Sequence, residues 1–300
     1  MTERKFPQGD VVVCAKRTDV DSFGATSSFQ ALRKAKDPRA LRMQKSHDAH
    51  TLALAEVLRE LHAAHISYRF EDARAPTEIR DARLVVTVGG DGTLLLASHR
   101  VGPGVPVLGV NSAPETSVGF FCAARPGAKL TRALGLALRG KLKHVTLNRM
   151  EVARNDRVVS RRVLNDLLYC HTTPAATSRY TLHVHDAGKR KRTETQRSSG
   201  VWIGPAAGST AAQRSAGGRV LPFSSKLLQY VVREPYTPLG QRLRLRLGMV
   251  RETGSVTIEN EMYEAMVFLD GPRRQFPIAF GDRLTMRRSE EPLVVLGLSR

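Results

Sequence analysis

The 300-residue sequence contains few cysteines and no long apolar run. Its three cysteines, Cys14, Cys122 and Cys170, form neither a zinc-binding pattern nor a disulfide framework, which fits a reducing compartment. Apolar runs such as Leu84–Val88 are far too short to span a bilayer. No leader with a basic start, an apolar stretch and a small-residue cleavage site is visible. We therefore expect a cytoplasmic protein that does not associate with membranes.

Acidic residues are also scarce relative to basic ones. The chain has 47 Lys and Arg against 28 Asp and Glu, a formal net charge of +19. Such a balance is compatible with nucleic-acid binding, with attraction of polyanionic small molecules such as nucleotides, or with a solvated basic surface. Because the positive charge is spread along the chain, we expect no nucleic-acid partner; the other two interpretations stay open.

The first part of the chain alternates strand and helix patterns. This rhythm predicts a parallel sheet with helices on its faces, in an α/β domain over residues 1–141. The basic, polar stretch 16–44 predicts a mobile loop with one short helix at most, and Ser46 can cap the helix that follows. The predicted strands are 11–15, 66–70, 84–88 and 105–110, and further helices are predicted at 93–99 and 129–138.

From about residue 142 onward, the pattern of residue types along the sequence changes. Turn signals separate short runs rich in Val, Leu and Tyr, and Arg242–Leu247 alternates strictly, as a half-buried strand should. We therefore expect a β-rich domain over residues 142–289. The apolar tail, residues 290–300, is predicted to return to the first domain.

Neither the Walker phosphate-binding loop nor the Rossmann G-x-G-x-x-G pattern is present. Gly89-Gly90-Asp91-Gly92-Thr93 instead follows a predicted strand and opens a predicted helix. Glycines let the backbone approach a phosphate, and a helix N-terminus adds N–H groups and partial positive charge. Asp91 opposes an anion, so it suits accepting a proton from an attacking hydroxyl or helping to hold Mg²⁺. The plainer alternative is a helix N-cap in a tight turn.

Three further motifs accompany this one. They are Gly109-Val110-Asn111 with Gly119-Phe120-Phe121, Leu164-Asn165-Asp166, and Gly208-Ser209-Thr210-Ala211 with Ser215-Ala216-Gly217-Gly218. In this order and spacing, the set resembles NAD kinases, whereas the first motif alone is shared with diacylglycerol-type lipid kinases and phosphofructokinases. The resemblance runs from about Leu84 to Asp270-Gly271, and it implies the fold of that family.

The resemblance assigns roles residue by residue. Asp91 would orient and deprotonate a ribose 2′-hydroxyl, Phe120 would pack near the adenine, and Asn165 and Asp166 would contact the adenine and ribose hydroxyls. The remaining implied contacts are Gly89, Gly90, Gly92 and Thr93 at the ATP phosphates, and Gly92, Thr210, Ala211 and Ser215 at the dinucleotide.

Three positions depart from the family's pattern. The usual Asn-Glu pair is Asn165-Asp166, an expected aspartate is Ser199, and an expected tyrosine is Ala212. The segment around Ser199 and Ala212 is similar to plant-type NADH kinases, so these changes are typical of a subgroup. They leave open whether NAD or NADH is preferred.

Together these resemblances imply an enzyme that phosphorylates the 2′-hydroxyl of NAD or NADH. ATP and Mg²⁺, or another divalent cation, would be required, and the dinucleotide would bind between the α/β domain and the β-rich domain. The family also implies a homo-oligomer, a dimer or tetramer built through the β-rich domain. The alternatives are a lipid or sugar kinase of the same superfamily, or a non-catalytic dinucleotide-binding protein.

No resident metal site is predicted from the sequence. His47, His50, His62 and His65 fall in pairs three apart on one predicted helix, but no carboxylate spacing supports them as ligands. We expect these histidines to lie on a solvated face.

Overall fold

The computed structural model describes residues 9–186, 188, 190–240 and 242–298. The chain forms two compact units: the first comprises residues up to Val145 together with those from Leu293, and the second runs Thr146–Pro292. The predicted fold class, an α/β domain with a parallel sheet and a β-rich domain, is confirmed. Within the described part of the chain, we find no helix with the length and apolar character needed to cross a bilayer.

The elements follow in chain order. The helices are α1 (Asp19–Phe23), α2 (Ser27–Lys34), α3 (Pro38–Ala63), α4 (Asp91–Ser98), α5 (Ala128–Leu138) and α6 (Ala212–Ser215), with a 3-10 helix at Ala206–Thr210. The earlier strands are β1 (Val11–Ala15), β2 (Tyr68–Asp72), β3 (Leu84–Gly89), β4 (Pro106–Asn111), β5 (His144–Leu147), β6 (Met150–Arg154), β7 (Arg157–Val163), β8 (Leu167–His171) and β9 (Ser178–His185). The later strands are β10 (Arg192–Ser198), β11 (Val201–Pro205), β12 (Leu228–Val232), β13 (Leu247–Val250), β14 (Ser255–Asn260), β15 (Ala265–Leu269), β16 (Arg274–Ile278), β17 (Arg283–Arg288) and β18 (Leu293–Leu296).

The first unit is built on a sheet in the order β2-β1-β3-β4-β18-β5. β1 pairs in parallel with β2 and β3, and β4 pairs in parallel with β3 and β18. β1, β3 and β4 are buried along their whole length, as expected for parallel strands with both faces covered. Val57 and Leu61 of α3 and Leu130 and Leu134 of α5 join the core on this sheet. Carboxyl ends of parallel strands meet at one edge, which places the segments after β3 and β4 side by side.

The segment 16–44, predicted as a mobile loop, is largely helical, so that prediction is wrong. It holds α1, α2 and the start of α3, and each of these helices begins with a side chain that accepts a first-turn N–H. Asp37 caps α3 and Pro38 opens it, well before the predicted cap at Ser46. The pattern failed because these turns bury little: α1 has no buried residue and α2 has only Phe29.

The second unit contains two antiparallel sheets, ordered β10-β9-β14-β17-β6-β7 and β13-β12-β11-β8-β15-β16. Buried side chains from both sheets form one core, so the sheets pack as a sandwich. The buried rings of Tyr169 on β8 and Tyr180 on β9 meet edge to face with centroids 5.0 Å apart. This rigid sandwich supplies the base on which the loop before β8 is built.

The predicted strand at Arg242–Leu247 is wrong: β13 begins only at Leu247. The N–H groups of Arg244 and Leu245 donate to the carboxylate of Glu194, each at 2.8 Å, in place of a neighbouring strand. Leu245 alone keeps the expected burial. Side-chain alternation was correct there, but a distant carboxylate took the backbone donors.

Candidate active site

The Gly89–Thr93 segment forms the turn from β3 into α4. Gly90 is the N-cap residue of α4, and Asp91 is the first helical residue, so Asp91 is not the N-cap. Among the described residues no side chain caps this helix, and the N–H of Thr93 donates to the carbonyl of Gly90 at 3.0 Å. An N-terminus of this kind presents N–H groups and a partial positive charge to an anion.

The three glycines of this turn have different surroundings. A Cβ at Gly89 would lie 2.7 Å from the Cβ of Thr93, and a Cβ at Gly90 would lie 2.5 Å from the Oγ of Ser117. Both glycines therefore permit close packing within the protein. Gly92 is exposed, and a Cβ there would meet nothing within 4 Å. Gly92 is consequently the position of the turn where a ligand can approach most closely.

Asp91 is held by the backbone of the 119–121 segment. Its Oδ2 accepts the N–H of Phe120 at 2.9 Å, and its Oδ1 accepts the N–H of Phe121 at 2.8 Å. A carboxylate offers about four acceptor positions, so two such bonds orient the group without exhausting it. The geometry fixes where a proton-accepting oxygen of Asp91 would face.

Asn111, at the end of β4, shapes the loop that brings these two N–H groups into place. Its Nδ2 donates to the carbonyl of Ser117 at 2.9 Å, and its Oδ1 accepts the N–H of Ala113 at 3.2 Å. Gly119 has a φ of 63° and lies directly against the Asn111 side chain, where a Cβ would collide with it. The Asn111 side chain therefore fills the loop interior.

Phe120 and Phe121 have different environments although they are adjacent. Phe121 is buried, whereas Phe120 is half-buried, and their rings meet edge to face at 5.2 Å between centroids. The Phe121 ring thus supports the Phe120 ring from inside the protein. Phe120 keeps enough exposed surface to contact a ligand.

The prediction of a solvated histidine face is wrong for His50. His50 is buried in α3, and its Nδ1 lies in hydrogen-bond contact with the Oγ of Ser112 at 3.0 Å. Burial, and then the nearby charge of Lys16, lower the pKa of His50 to about 4. His62 and His65 are exposed, as expected. The sequence missed His50 because its partner Ser112 is distant along the chain.

A cavity of about 580 Å³ lies between α3 and the segment that follows β4. Its lining includes Lys45 of α3, the 112–116 segment and Arg125. Lys45 forms an ion pair with Glu115 at 2.5 Å. Cavities of this volume are typical of small-molecule sites. Since Glu115 offsets the charge of Lys45, Arg125 supplies the remaining positive charge of the lining.

In the second unit, Asn165 and Asp166 lie immediately before β8. The carboxylate of Asp270 accepts three consecutive backbone N–H groups of this loop: Leu164 at 2.8 Å, Asn165 at 2.6 Å and Asp166 at 3.0 Å. In return, the N–H of Asp270 donates to the carbonyl of Asp166 at 2.9 Å. The turn after β15 therefore organises the loop before β8.

The backbone of Asn165 is enclosed on its other side by the segment after β11. Its carbonyl accepts the Nε2 of Gln213 at 3.2 Å. A Cβ at Gly204 or Gly208 would collide with that same carbonyl, so both glycines permit close packing on it. The Asn165 Oδ1 is buried and has no hydrogen-bond partner among the described residues. That oxygen needs a donor, which a ligand can supply.

Asp166 is almost fully buried beside a second carboxylate. Burial and the charge of Asp270 raise the pKa of Asp166 to about 8. Near neutral pH, its carboxyl can therefore carry a proton and donate a hydrogen bond as well as accept one.

Thr210 ends the 3-10 helix, Ala211 follows it, and Ser215 ends α6. Thr210 and Ala211 are half-buried and Ser215 is exposed, so all three retain surface for a ligand. Behind them, Gln213 is fully buried, and its Oε1 accepts the Nε2 of Gln229 at 3.1 Å. These two amides form the inner support of the segment.

The structure thus gathers the predicted site residues into two groups, one in each unit. The first contains Gly89–Thr93 and Phe120, joined through Asp91. The second contains Asn165 and Asp166, with the segment 208–215 packed on Asn165. The sequence assigned no role to Asp270 or Gln213, although the Asp-Gly turn at 270–271 was part of the family resemblance.

Comparison with known proteins identifies relatives of this chain. The family described as "ATP-NAD kinase N-terminal domain" matches residues 27–134. A protein of Oryza sativa subsp. japonica named "Probable NADH kinase" is 36% identical over 245 residues, covering 76% of this chain and 74% of the relative. The "NADH kinase" of Arabidopsis thaliana is 35% identical over 259 residues, covering 74% of each chain.

Two solved structures share the fold. The NAD kinase from Archaeoglobus fulgidus in complex with ATP has a TM-score of 0.64 at 20% identity, covering 95% of this chain and 93% of its own. Yeast NADH kinase complexed with NADH also has a TM-score of 0.64, at 15% identity, covering 97% and 84%. At these identities the structural likeness concerns the fold alone. The sequence relationship to the plant proteins goes further, and the chain belongs to the NAD kinase family.

Proposed function

We propose that this protein is an NAD(H) kinase, which transfers the γ-phosphoryl group of ATP to the 2′-hydroxyl of the adenosine ribose of NAD or NADH. The observation that carries this proposal is the position of Asp91 and the hydrogen bonds that hold its carboxylate. A single carboxylate stands at the uncapped N-terminus of α4 and is oriented by two backbone N–H groups. That arrangement joins a proton acceptor to an anion-binding backbone, which is what this phosphoryl transfer requires.

In the proposed reaction, Asp91 accepts the proton of the 2′-hydroxyl as that oxygen attacks the γ-phosphorus. The new bond joins O2′ to phosphorus, the bond from the γ-phosphorus to the β,γ-bridging oxygen breaks, and ADP leaves with that electron pair. Because both Asp91 oxygens are already anchored, little reorganisation is needed when the hydroxyl arrives. Positioning and charge neutralisation supply most of the acceleration.

The triphosphate would bind at the start of α4. Gly92 is exposed with open space around it, so a phosphate oxygen can approach the first-turn backbone there. Gly89, Gly90 and Thr93 act by shaping the turn, since their neighbours are other protein atoms.

Mg²⁺ is proposed to enter with ATP. This ion keeps several waters and is usually bound by one or two carboxylates together with substrate phosphates. In the part of the chain that the structure describes, no three His, Cys, Asp or Glu side chains are grouped as a metal site. A metal carried by the nucleotide would neutralise phosphate charge.

Recognition of the adenosine part is assigned to the second group of residues. The unpartnered Oδ1 of Asn165 suits the 6-amino group of adenine, and the Asp166 carboxyl suits a ribose hydroxyl. Thr210, Ala211 and Ser215 offer small side chains over which a flat ligand can lie. In the first unit, the ring of Phe120 offers an aromatic surface against which a flat ligand can also pack.

NADH is proposed as a substrate alongside NAD. Two plant relatives, 36% and 35% identical to this chain over the aligned residues, are named "Probable NADH kinase" and "NADH kinase". Their name makes NADH the first substrate to measure and sets no order of preference.

The direct test is product formation. Purified protein is incubated with ATP and Mg²⁺ and with either NAD or NADH, and NADP or NADPH is quantified by liquid chromatography. We expect product with at least one dinucleotide, and none when ATP is omitted. Absence of product from both would reject the proposed function. Parallel reactions with diacylglycerol and fructose 6-phosphate test the lipid- and sugar-kinase alternatives.

We further propose that the enzyme is a dimer or tetramer, as its family resemblance implies, and that it acts in the cytoplasm, as expected from its sequence. Light scattering coupled to size-exclusion chromatography measures the mass of the assembly. A mass equal to that of one 33.1 kDa chain would contradict the oligomer.

A further inference from the structure

The loop that carries Asn165 is shaped by a carboxylate from another part of the second unit. Asp270 lies 105 residues further along the chain, in the turn that follows β15. Its two oxygens accept the N–H groups of Leu164, Asn165 and Asp166 in succession. Three consecutive N–H groups that converge on one anion form a concave backbone nest, which a neutral side chain would fill less well.

The turn of Asp270 is itself an unusual backbone conformation. Asp270 has a φ of 51°, in the left-handed region that side-chain-bearing residues seldom occupy, and Gly271 follows with a φ of 106°. This conformation lets the N–H of Asp270 reach the carbonyl of Asp166 while its own carboxylate folds back onto the loop. Asp270 therefore binds three backbone N–H groups of the loop before β8 through its carboxylate and one backbone carbonyl of that loop through its own N–H.

Asn165 is fixed from the opposite side as well. Its carbonyl accepts the Nε2 of the fully buried Gln213, and Gly208 packs against its backbone. With its N–H and its carbonyl both engaged, the main chain of Asn165 has little freedom. Its side-chain Oδ1, buried and unpartnered among the described residues, is the one polar atom of Asn165 left for a donor.

We propose that Asp270, assisted by Gln213, is the positioning residue that aims the Asn165 amide at the 6-amino group of adenine. This inference rests on the proposed dinucleotide site. Asp270 touches no ligand in this scheme and acts through the backbone of Asn165. The selectivity of the site for an amino-bearing purine would then depend on the charge at position 270.

Adenine selectivity is the readout that a merely structural role would not change. Nicotinamide hypoxanthine dinucleotide carries a carbonyl oxygen where NAD carries the 6-amino group, so it would face the Asn165 oxygen with a second acceptor. From the usual cost of a mismatched bidentate contact, we expect the wild type to bind NAD about tenfold to a hundredfold more tightly than this analogue. Dissociation constants come from isothermal titration calorimetry, which needs no turnover.

Asp270→Asn keeps the shape of the side chain but removes its charge and one acceptor. We expect the ratio of the two dissociation constants to fall by about tenfold, with a change in KM for the dinucleotide that exceeds any change in kcat. Asp156→Asn is the matched control, because Asp156 is an exposed turn residue of the same unit with a φ of 64°. That control should keep the wild-type ratio.

A double-substitution cycle tests whether Asp270 acts through Asn165. Asn165→Ala should abolish the selectivity by itself, and Asp270→Asn added to Asn165→Ala should lower it no further. If the double variant instead shows a further change in this ratio, equal to the product of the two single effects, Asp270 acts independently of Asn165 and the proposal is overturned.

Gln213→Met keeps the test decisive if Asp270→Asn does not fold, since it removes the other contact to the Asn165 backbone. If either folded variant discriminates less between NAD and the hypoxanthine analogue than the wild type does, the proposal is supported. If Asp270→Asn and Gln213→Met, insofar as they fold, both keep the wild-type ratio of dissociation constants, the proposal is overturned. Failure of the wild type to bind either dinucleotide would also overturn it. Selective binding without any NADP(H) formation would reject the proposed kinase activity alone and leave the positioning role standing.

Discussion

The two units hold their site residues in opposite ways. In the first unit, Asp91 is the predicted catalytic group, and its own carboxylate accepts two backbone N–H groups. At the site in the second unit, backbone N–H groups donate to the carboxylate of Asp270, which supports the predicted contact residues Asn165 and Asp166 through their main chain.

This difference follows from the work assigned to each site. A group that takes up a proton must itself be oriented, so the protein anchors the carboxylate of Asp91 directly. A group that recognises a base by its amide must leave that amide unpartnered until the ligand binds, as the Asn165 Oδ1 is. The anchoring then has to act on the main chain of Asn165, and a second residue must provide it.

The largest effect is expected from Asp91→Asn. The amide keeps the size of the side chain but cannot accept the hydroxyl proton, so kcat should fall by about a hundredfold to ten-thousandfold. The dissociation constant for NAD should change little, because Asp91 is one contact among several, and contacts to the adenine and the ribose hydroxyls are also assigned to Asn165 and Asp166 of the second unit. Stopped-time product assays and calorimetry measure the two quantities. Asp81→Asn, at an exposed position of the first unit, should behave as wild type; near-normal turnover in Asp91→Asn would reject the assigned role.

A second pair of substitutions compares a packed glycine with an open one. A Cβ at Gly208 would lie 2.7 Å from the Cα of Asn165, whereas a Cβ at Gly92 would meet nothing within 4 Å. We expect Gly208→Ala to destabilise the protein by about 1–3 kcal/mol and to weaken NAD binding. Gly92→Ala should keep or raise the melting temperature, since alanine favours a helix by up to about 1 kcal/mol, while raising the KM for ATP. Equal melting temperatures for the two variants would contradict the packing described.

The smallest expected effect concerns Asp166 and pH. Its pKa is raised from the usual 3.8 to about 8, so the folded protein retains a proton that the unfolded chain loses. The contribution of the protonated Asp166 to stability is therefore fully present below the unfolded pKa of 3.8, and it is lost progressively as pH rises to the folded pKa of about 8. Asp166→Asn lacks this loss, so its melting temperature relative to wild type should increase between pH 6 and pH 9, even as NAD binding weakens. Thermal unfolding in that range decides the matter, and a difference that stays constant would show that Asp166 is not protonated as proposed.

Much of the first unit was predictable because its signals are local. The strand at Val11–Ala15 appears at its predicted bounds, and the glycine turn after Leu84–Val88 opens a helix as expected. A buried parallel strand is a short continuous apolar run, which a sequence displays directly. The first two helices of the 16–44 segment escaped prediction because they contribute little to the core: α1 has no buried residue and α2 has only Phe29.

The second unit was predictable in class but less so in detail. β15 covers Ala265–Leu269, a continuous apolar run that the sequence displays directly. The segment Arg242–Leu247 alternates strictly between basic and apolar residues, yet the N–H groups of Arg244 and Leu245 donate to the carboxylate of Glu194. A sequence pattern reports which side chains will be buried, and it does not report which distant carboxylate will reach the main chain.

The sequence by itself determined the two-part architecture, the family and the identities of Asp91, Asn165 and Asp166 as candidates, because periodicity and motif spacing are properties of neighbouring residues. Only the tertiary structure showed that Phe120 and Phe121 orient Asp91, that His50 is buried against Ser112, and that Asp270 and Gln213 enclose Asn165. These contacts join segments that lie far apart along the chain. They arise from the packing of sheets and loops in three dimensions, which no local pattern encodes.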